Sequence, residues 1–325
     1  MSSVISFLVG LVSIGAIYSV LVLGLNTQFG KCGQINFGVA GFFAIGAYTY
    51  VLTTVPAPGS GDQYLFGLGL PMWLGFVLSG IVAALFAWLI GLPTLKLKAE
   101  NLALITFAVS EIVRYLATNE SWLTNGVRGI THLPRPFQAY FSSDSYEYVL
   151  AAILILALII TFLFVNKVEQ APLGRLFRAV RENEEVALAS GKNVNHIKMV
   201  SFVMGCAITG YAGALYMWYI GLIVPGMFAP EITFTLWIAM IIGGSGNDKG
   251  VILGTFILVA MQELIRLLPI SSEFAGSLMS FRTALEGIIL IAILRFRPSG
   301  IWPEAKRVDN LAGEGEVDSD ASRGA

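Results

Sequence analysis

The sequence predicts an all-α protein that crosses a membrane several times. Of its 325 residues, 56% are hydrophobic and only 13% are charged, whereas an ordinary soluble domain carries about 25% charged residues. The mean hydropathy is +0.75, and the apolar residues are gathered into long runs separated by short polar segments. Helices satisfy their own backbone hydrogen bonds in lipid and need about 20 apolar residues to span it. We therefore expect a polytopic integral membrane protein.

Nine apolar runs, within a range of eight to ten, are interpreted as spans. They cover residues 4–25, 37–54, 68–92, 101–117, 147–165, 199–223, 231–243, 251–268 and 283–296. The second, fourth and seventh are short or interrupted by glycine, which is typical of broken helices that line a cavity. The first run is too long for a signal peptide and no Lys or Arg precedes it, so it is expected to be retained.

Lysine and arginine predict the orientation, because cytoplasmic loops carry an excess of both. With the N-terminus outside, 15 of the 20 Lys and Arg residues fall on the inner side and 5 on the outer side. The distribution favours an outer N-terminus and an inner C-terminus. Residues 1–307 are then the transmembrane domain, and the acidic, Gly- and Ser-rich residues 308–325 are expected to be a disordered tail.

The most polar internal stretch, residues 172–198, is expected to begin with an amphipathic helix on the inner side of the membrane. Leu173 and Val180 belong to an apolar set at helical spacing, while Arg178 and Arg181 lie on another face. A helix of this kind either docks into a groove of a partner protein or rests on lipid headgroups. Spacing alone leaves both interpretations open.

A second short helix is predicted directly after the first. Asn183 is a plausible N-cap, and Glu184 follows in the first turn, where negative charge suits the helix dipole. Gly191 can adopt the left-handed conformation that ends a helix.

A polar break separates the first two predicted spans. Residues 30–38, GKCGQINFG, contain three glycines and the amides Gln34 and Asn36. A flexible break of this composition at the membrane edge either lines a substrate path or forms a tight cytoplasmic turn. Both interpretations stay open at this point.

The outer loop after the fourth predicted span is nearly thirty residues long and contains the sequence TNGVRG at 124–129. A loop of this length is a docking surface, a lid or a solvated, structureless connection. Asn125 and Arg128 are its candidate functional residues.

Glutamates within the predicted spans each have a basic residue one turn away. Such a pair lowers the cost of burying charge, although a membrane carboxylate is also a functional hypothesis by default. The first two pairs share the pattern E-[IL]-[VI]-R-x-L, which suggests an internal repeat. The pairs are Glu111 with Arg114, Glu263 with Arg266, and Glu286 with Arg282.

Signatures of other function classes are missing from the sequence. No phosphate-binding loop, H-E-x-x-H motif or Ser/His/Asp pattern occurs. The two cysteines, Cys32 and Cys206, lie in unrelated segments and do not predict a disulfide or a metal site. A basic patch for nucleic acid is also missing. We expect no enzymatic activity, no cofactor, no metal and no nucleic-acid partner.

Seven sequence blocks, in order, resemble the permease subunits of ABC importers for branched-chain amino acids, more closely the Liv-type M branch than its H-branch partner. The blocks are GQINFGVAGFFAIGAY at 33–48, LKLKAENLALITFAVSEIVR at 95–114, LTNGVRGI at 123–130, PLGRLFRAVRENEEVALASGKNV at 172–194, ITGYAGALY at 208–216, IGGSGNDKGVILG at 242–254 and RFRPSGIW at 295–302.

The resemblance implies a permease half in a bacterial or archaeal cytoplasmic (inner) membrane. It implies three kinds of protein partner: two ATP-binding subunits, a second related permease, and an extracytoplasmic substrate-binding protein. Residues 172–198 look like the family's cytoplasmic coupling loop, which favours docking over lipid contact. The residues that would contact the ATP-binding subunits, or end the docking helix, are Arg178, Arg181, Glu182, Asn183, Glu184 and Gly191.

The same resemblance would place Gly33, Gln34 and Asn36 near the translocation path. The substrate, an amino acid or a small amide, stays open, because the family pattern after GQ often includes a histidine that residues 35–40 lack. Relatives of this family also carry urea or short-chain amides. The alternatives are an ion-coupled secondary transporter that uses Glu111, Glu263 and Glu286, and a membrane scaffold that transports nothing.

Overall fold

The computed structural model of the chain describes residues 2–57, 64, 66–266, 275–297 and 299–304. These residues are mostly α-helical, with two very short strands. The helices are α1 (Ser2–Cys32), α2 (Val39–Thr54), α3 (Met72–Thr94), α4 (Ala99–Asn119), α5 (Ser121–Thr124), α6 (Ser143–Gln170), α7 (Pro172–Glu182), α8 (Glu184–Ala189), α9 (Val194–Ile220), α10 (Pro230–Gly243), α11 (Asp248–Arg266) and α12 (Ala275–Phe296), and the strands are β1 (Ile130–Thr131) and β2 (Leu222–Ile223).

Each of the nine predicted runs coincides largely with a helix, so the all-α, multi-pass class is confirmed. Within the described ranges, six helices are long and apolar enough to cross a membrane: α1, α3, α4, α6, α9, and α10 together with the turn before it. Helix α2 has 16 residues, and residues 284–293 of α12 are another shorter apolar stretch. The count of nine spans and the orientation stay predictions.

Two element boundaries differ from the prediction. Helix α1 continues to Cys32, so the polar break occupies residues 33–38 rather than 30–38. The prediction that the fourth run is short or broken was wrong, because α4 is a continuous helix of 21 residues. Polar residues do not interrupt α4, since Glu111 and Arg114 pair along its surface.

Helix α9 lies at the centre of the bundle and contacts α1, α2 and α3. Small residues permit this close approach, as is common between helices in membranes. A Cβ atom on Gly210 of α9 would lie 2.5 Å from the Cβ of Ala83 and 2.7 Å from the carbonyl oxygen of Ser79, both on α3. A Cβ on Gly46 of α2 would overlap the backbone of Gly210.

The long loop between α4 and α6 is folded. It contains α5, two 3-10 turns and β1, which pairs antiparallel with β2 so that Ile130 faces Ile223. The alternative of a structureless loop was wrong, because this loop is anchored to the chain that follows α9. The docking-surface and lid interpretations stay open.

Candidate functional site

Helix α7 packs one face against the end of the bundle and exposes the other. Pro172 occupies the first turn, where its missing N–H costs nothing. Phe177 and Val180 are buried in a small apolar cluster with Cys32 of α1 and Ile197 of α9. The predicted amphipathic helix is therefore present, and it fixes α7 to two helices of the bundle.

Helix α8 follows α7 directly and projects from it; we call α7 the base and α8 the knob. The Asn183 Oδ1 accepts a hydrogen bond from the Val186 backbone N–H at 3.1 Å, which is N-cap geometry. Gly191 has φ +74°, and a side chain there would meet nothing within 4 Å. Both local predictions, the cap and the left-handed glycine, match the structure.

The tip of the knob is apolar. Ala187 is buried against the base, while Val186 and Leu188 are 60% and 53% exposed. Glu184 and Glu185 lie in the first turn, so the exposed apolar pair is bordered by acidic residues. A small apolar tip on a capped helix is suited to insertion into a groove of another protein.

The predicted contact residues divide into two groups. The Arg178 guanidinium lies 3.5 Å from Glu169, and the Arg181 guanidinium lies 2.8 Å from Glu304 and also donates to the Gly30 carbonyl. Both arginines are thus engaged within the chain.

The remaining members face outward or bind a neighbouring helix. Glu182 and Asn183 are exposed. Glu184 pairs with Lys198 of α9 at 2.6 Å. The surface that is available to a partner therefore centres on α8 rather than on Arg181.

The polar break is buried and hydrogen-bonded, which corrects the expectation of a flexible break at the membrane edge. Gly33 continues from α1 with φ +77°. The Gln34 Nε2 donates to the Lys198 carbonyl at 2.8 Å. The Asn36 Nδ2 donates to Gln28 Oε1 at 2.8 Å, and the Asn36 Oδ1 accepts from the Gly38 N–H at 2.7 Å. Amide side chains replace the helical hydrogen bonds that the break interrupts.

A cavity of about 350 Å³ connects the break with the polar segment. Gly33 and Gln34 form one wall and residues 181–184 form another, while Lys96 and Lys98 of the α3–α4 turn lie along it. Asn36 is not among the lining residues; it is buried deeper, where Trp237 donates to its carbonyl. Gly33 and Gln34, two of the three residues predicted to lie near the translocation path, thus line the same cavity as the predicted contact residues 181–184.

A charge cluster around the buried Lys31 is not predicted by the sequence. The Lys31 Nζ lies 2.6 Å from Glu169 and 3.4 Å from Asp248. The Asn26 Nδ2 donates to the Asp248 carboxylate at 2.7 Å. In sequence these residues look like ordinary charges at span ends, because nothing local indicates which of them meet.

The outer-loop candidates have different roles. Asn125 is buried with φ 64°, and its Nδ2 donates to the Gly129 carbonyl at 2.7 Å. This geometry holds the turn in shape, since asparagine tolerates the left-handed region. Arg128 is exposed at the tip.

The predicted membrane ion pairs are described in part. The Arg114 guanidinium lies 2.7 Å from Glu111. The side chains of Arg266 and Arg282 lie outside the described residues, so the pairs with Glu263 and Glu286 stay predictions. Glu286 is buried, and it accepts from Gln262 at 2.7 Å and from Thr235 at 3.4 Å.

These features define a class: a multi-pass α-helical membrane protein with a short capped helix, α8, exposed at one end of its bundle. A family model described as the permease component of the branched-chain amino acid transport system matches residues 7–294. The match covers most of the chain, so the protein belongs to this family of permeases.

Individual relatives agree with the family. The chain is 30% identical to the high-affinity branched-chain amino acid transport system permease protein LivM of Escherichia coli, over 95% of this chain and 73% of the relative. It is 28% identical to the probable LivM of Methanocaldococcus jannaschii, over 89% of this chain and 91% of the relative. It is 26% identical to LivH of Salmonella typhimurium, over 91% and 95%. No solved structure matches the chain.

Proposed function

We propose that this chain is one permease subunit of an ATP-driven importer of branched-chain amino acids. The observation that carries the proposal is α8, a capped helix that exposes Val186 and Leu188 beside a cavity bounded by the polar break. A site with this geometry receives a partner on one side and contacts the interior of the bundle on the other. Family membership and the names of the relatives support the substrate class.

The mechanism follows from the position of α8. Seating the α8 tip in a groove of an ATP-binding subunit ties movement of that subunit to residues 181–184, which form a wall of the cavity. Rigid-body movement of helices then opens the bundle alternately to either side of the membrane. Such coupling requires the contact energy to differ between the two states of the partner, and an apolar tip that is seated in only one state provides that difference.

The partners follow from this mechanism. This chain would supply no ATPase site and bind no cofactor, so we expect two ATP-binding subunits to hydrolyse the ATP that drives transport. The LivM and LivH relatives from Escherichia coli are each named as a permease protein of a high-affinity branched-chain amino acid transport system, which supports pairing with a second, related permease. An extracytoplasmic binding protein would deliver the amino acid.

The test is uptake of radiolabelled leucine into vesicles that contain this chain with its candidate partner subunits, with and without ATP. Radiolabelled urea is the parallel substrate. Leucine uptake that requires ATP is the expected result. ATP-dependent uptake of urea without uptake of leucine would identify a small amide, rather than a branched-chain amino acid, as the substrate.

An ion-coupled secondary transporter predicts a different result in the same vesicles. Uptake would follow an imposed ion gradient and ignore ATP, and Glu111, Glu263 and Glu286 would become the residues to test. Vesicles that take up neither substrate under either condition, although the complex is intact, would contradict a transport function.

A further inference from the structure

The charge cluster around Lys31 joins four parts of the chain at one buried atom. Lys31 is 4% exposed, and its Nζ donates at 2.6 Å both to Glu169 at the end of α6 and to the carbonyl oxygen of Gly246 in the α10–α11 turn. Asp248, 5% exposed at the start of α11, lies 3.4 Å away. The lysine thus occupies the end of α1 and contacts α6, α11 and the turn before it.

Asn26 reinforces the junction on the α11 side. Its Nδ2 donates to Asp248, and its Oδ1 accepts from the Gly246 backbone N–H at 2.8 Å. The last two turns of α1 therefore hold the α10–α11 turn with two side chains. This side of the junction is closed to water, so its geometry is strongly constrained.

The α6 side of the junction is built differently. Glu169 is only partly buried, and its second carboxylate oxygen lies 3.5 Å from Arg178 of α7, which is also partly exposed. A partly exposed ion pair exchanges partners at little cost. Movement of α7, the base of the proposed docking element, can thus reach Lys31 through Glu169 while the contacts that hold Lys31 to the α11 side stay intact.

Stability alone is a weak explanation for such a cluster. Burying charges carries a desolvation cost of several kcal/mol per ion, and apolar replacements of similar volume are often as stable. A buried ionic junction is better attested where it fixes one arrangement of elements relative to another.

We propose that Lys31 is a positioning residue for transport: it links the proposed docking segment, through Glu169, to α1 and the α10–α11 turn. This inference rests on the proposed function. When α7 moves with its partner, the Arg178–Glu169–Lys31 chain transmits the displacement to the junction of α1 with the α10–α11 turn. Loss of the link leaves docking and ATP hydrolysis in place but weakens their coupling to movement of the bundle.

The experiment measures leucine uptake and ATP hydrolysis together in vesicles that contain the complete transporter. Glu169→Gln is the main variant, because it removes the carboxylate charge at a partly exposed site while keeping the side chain's shape. Lys31→Met and the double variant Lys31→Met/Glu169→Gln complete a double-mutant cycle. Glu100→Gln, an exposed glutamate in the first turn of α4, is the matched control.

We expect leucine taken up per ATP to fall between about twofold and thirtyfold for Glu169→Gln, the range for residues along a coupling network. ATP hydrolysis and recovery of the complex should stay near wild type. The double variant should lose no more coupling than Lys31→Met alone, because both changes break one link. Glu100→Gln should keep the wild-type ratio.

Two results would overturn the inference. In the first, Glu169→Gln keeps the wild-type ratio of uptake to hydrolysis. In the second, uptake and hydrolysis fall in proportion while the complex stays intact, as expected for a structural role. A wild-type complex that takes up no leucine with ATP would instead contradict the proposed function, and this inference with it.

Discussion

At the residue scale, a few side chains with well-defined geometry determine the candidate site. Asn183 caps α8, Gly191 ends the turn after it, and Lys31 fills a buried position between helices. The first two could be predicted from the sequence, because a cap and a left-handed glycine act within a few residues of chain. The pairing of Lys31 could not, since its partners lie more than a hundred residues away.

The Asn183 cap gives a prediction about coupling. Asn183→Ala should destabilise α8 by about 0.5–2 kcal/mol through loss of the Val186 hydrogen bond, and leucine uptake per ATP should fall as the knob frays. Asn193→Ala is the matched control, because the Asn193 Oδ1 caps α9 by the same bond to the His196 N–H at 3.1 Å. An equal loss of uptake in both variants would mean that α8 has no special role.

Gly30 gives a prediction about stability. A Cβ there would overlap the Asn26 side chain and lie 2.5 Å from the Gly246 backbone nitrogen, so Gly30→Ala should lower the free energy of unfolding by roughly 1–3 kcal/mol. Gly191→Asn is the comparison, since its φ of +74° suits asparagine and the space is open. Thermal unfolding in detergent measures both. Equal midpoints would contradict the close packing of α1 against the α10–α11 turn.

At the element scale, the important feature is how α8 is held on α7. The buried face of α7 includes Phe177 and Val180, and Ala187 joins the same cluster, so a helix of only six residues keeps a fixed orientation. Short helices are unstable alone, and packing against the rest of the protein supplies the stability that the local sequence lacks. The amphipathic pattern predicted the two helices, whereas the direction in which Arg181 points depended on the position of Glu304 and Gly30.

The exposed tip of α8 gives a prediction about assembly. Val186→Ser together with Leu188→Ser should weaken binding of an ATP-binding subunit by at least about tenfold, because fully burying one Val or Leu side chain contributes about 1.5–3 kcal/mol. Co-purification at increasing salt and titration of the ATP-binding subunit measure the loss. Val127→Ser changes an apolar residue of the outer loop that is 75% exposed, and it should leave binding unchanged. Unchanged binding of the α8 variant would place the interface elsewhere.

At the scale of the whole molecule, α9 organises the bundle through close contacts between small residues. Gly210 has no room for a side chain beside α3. Since lipid is as apolar as the helix surfaces, such contacts rather than hydrophobicity select which helices meet. The apolar runs therefore predicted helices without predicting their neighbours.

A substitution at this crossing should affect the whole fold. Gly210→Val should lower the yield of folded protein and its unfolding midpoint, because the contacting atoms belong to backbone and a buried alanine of α3. Gly287→Val, where an added Cβ meets nothing within 4 Å, is the control on another helix. Comparable yields and midpoints for the two variants would contradict the α3–α9 contact.

The predicted orientation can be measured on the intact molecule. In a background with Cys32→Ala and Cys206→Ala, Glu185→Cys should react with a membrane-impermeant thiol reagent from the cytoplasmic side only. Val127→Cys should react from the outer side only, since both positions are exposed at opposite ends of the predicted topology. Labelling of both positions from the same side would mean that an even number of spans separates them, which would contradict the predicted topology.

The sequence by itself determined the helical membrane class, the approximate helix positions, and the capped knob within residues 172–198. These properties depend on composition and on interactions within one or two helical turns. Tertiary structure decided that the polar break is buried, that Arg181 turns inward, and that Lys31 joins α1 to α6 and α11. Those outcomes depend on helix packing, which is set by close contacts between residues far apart in the chain.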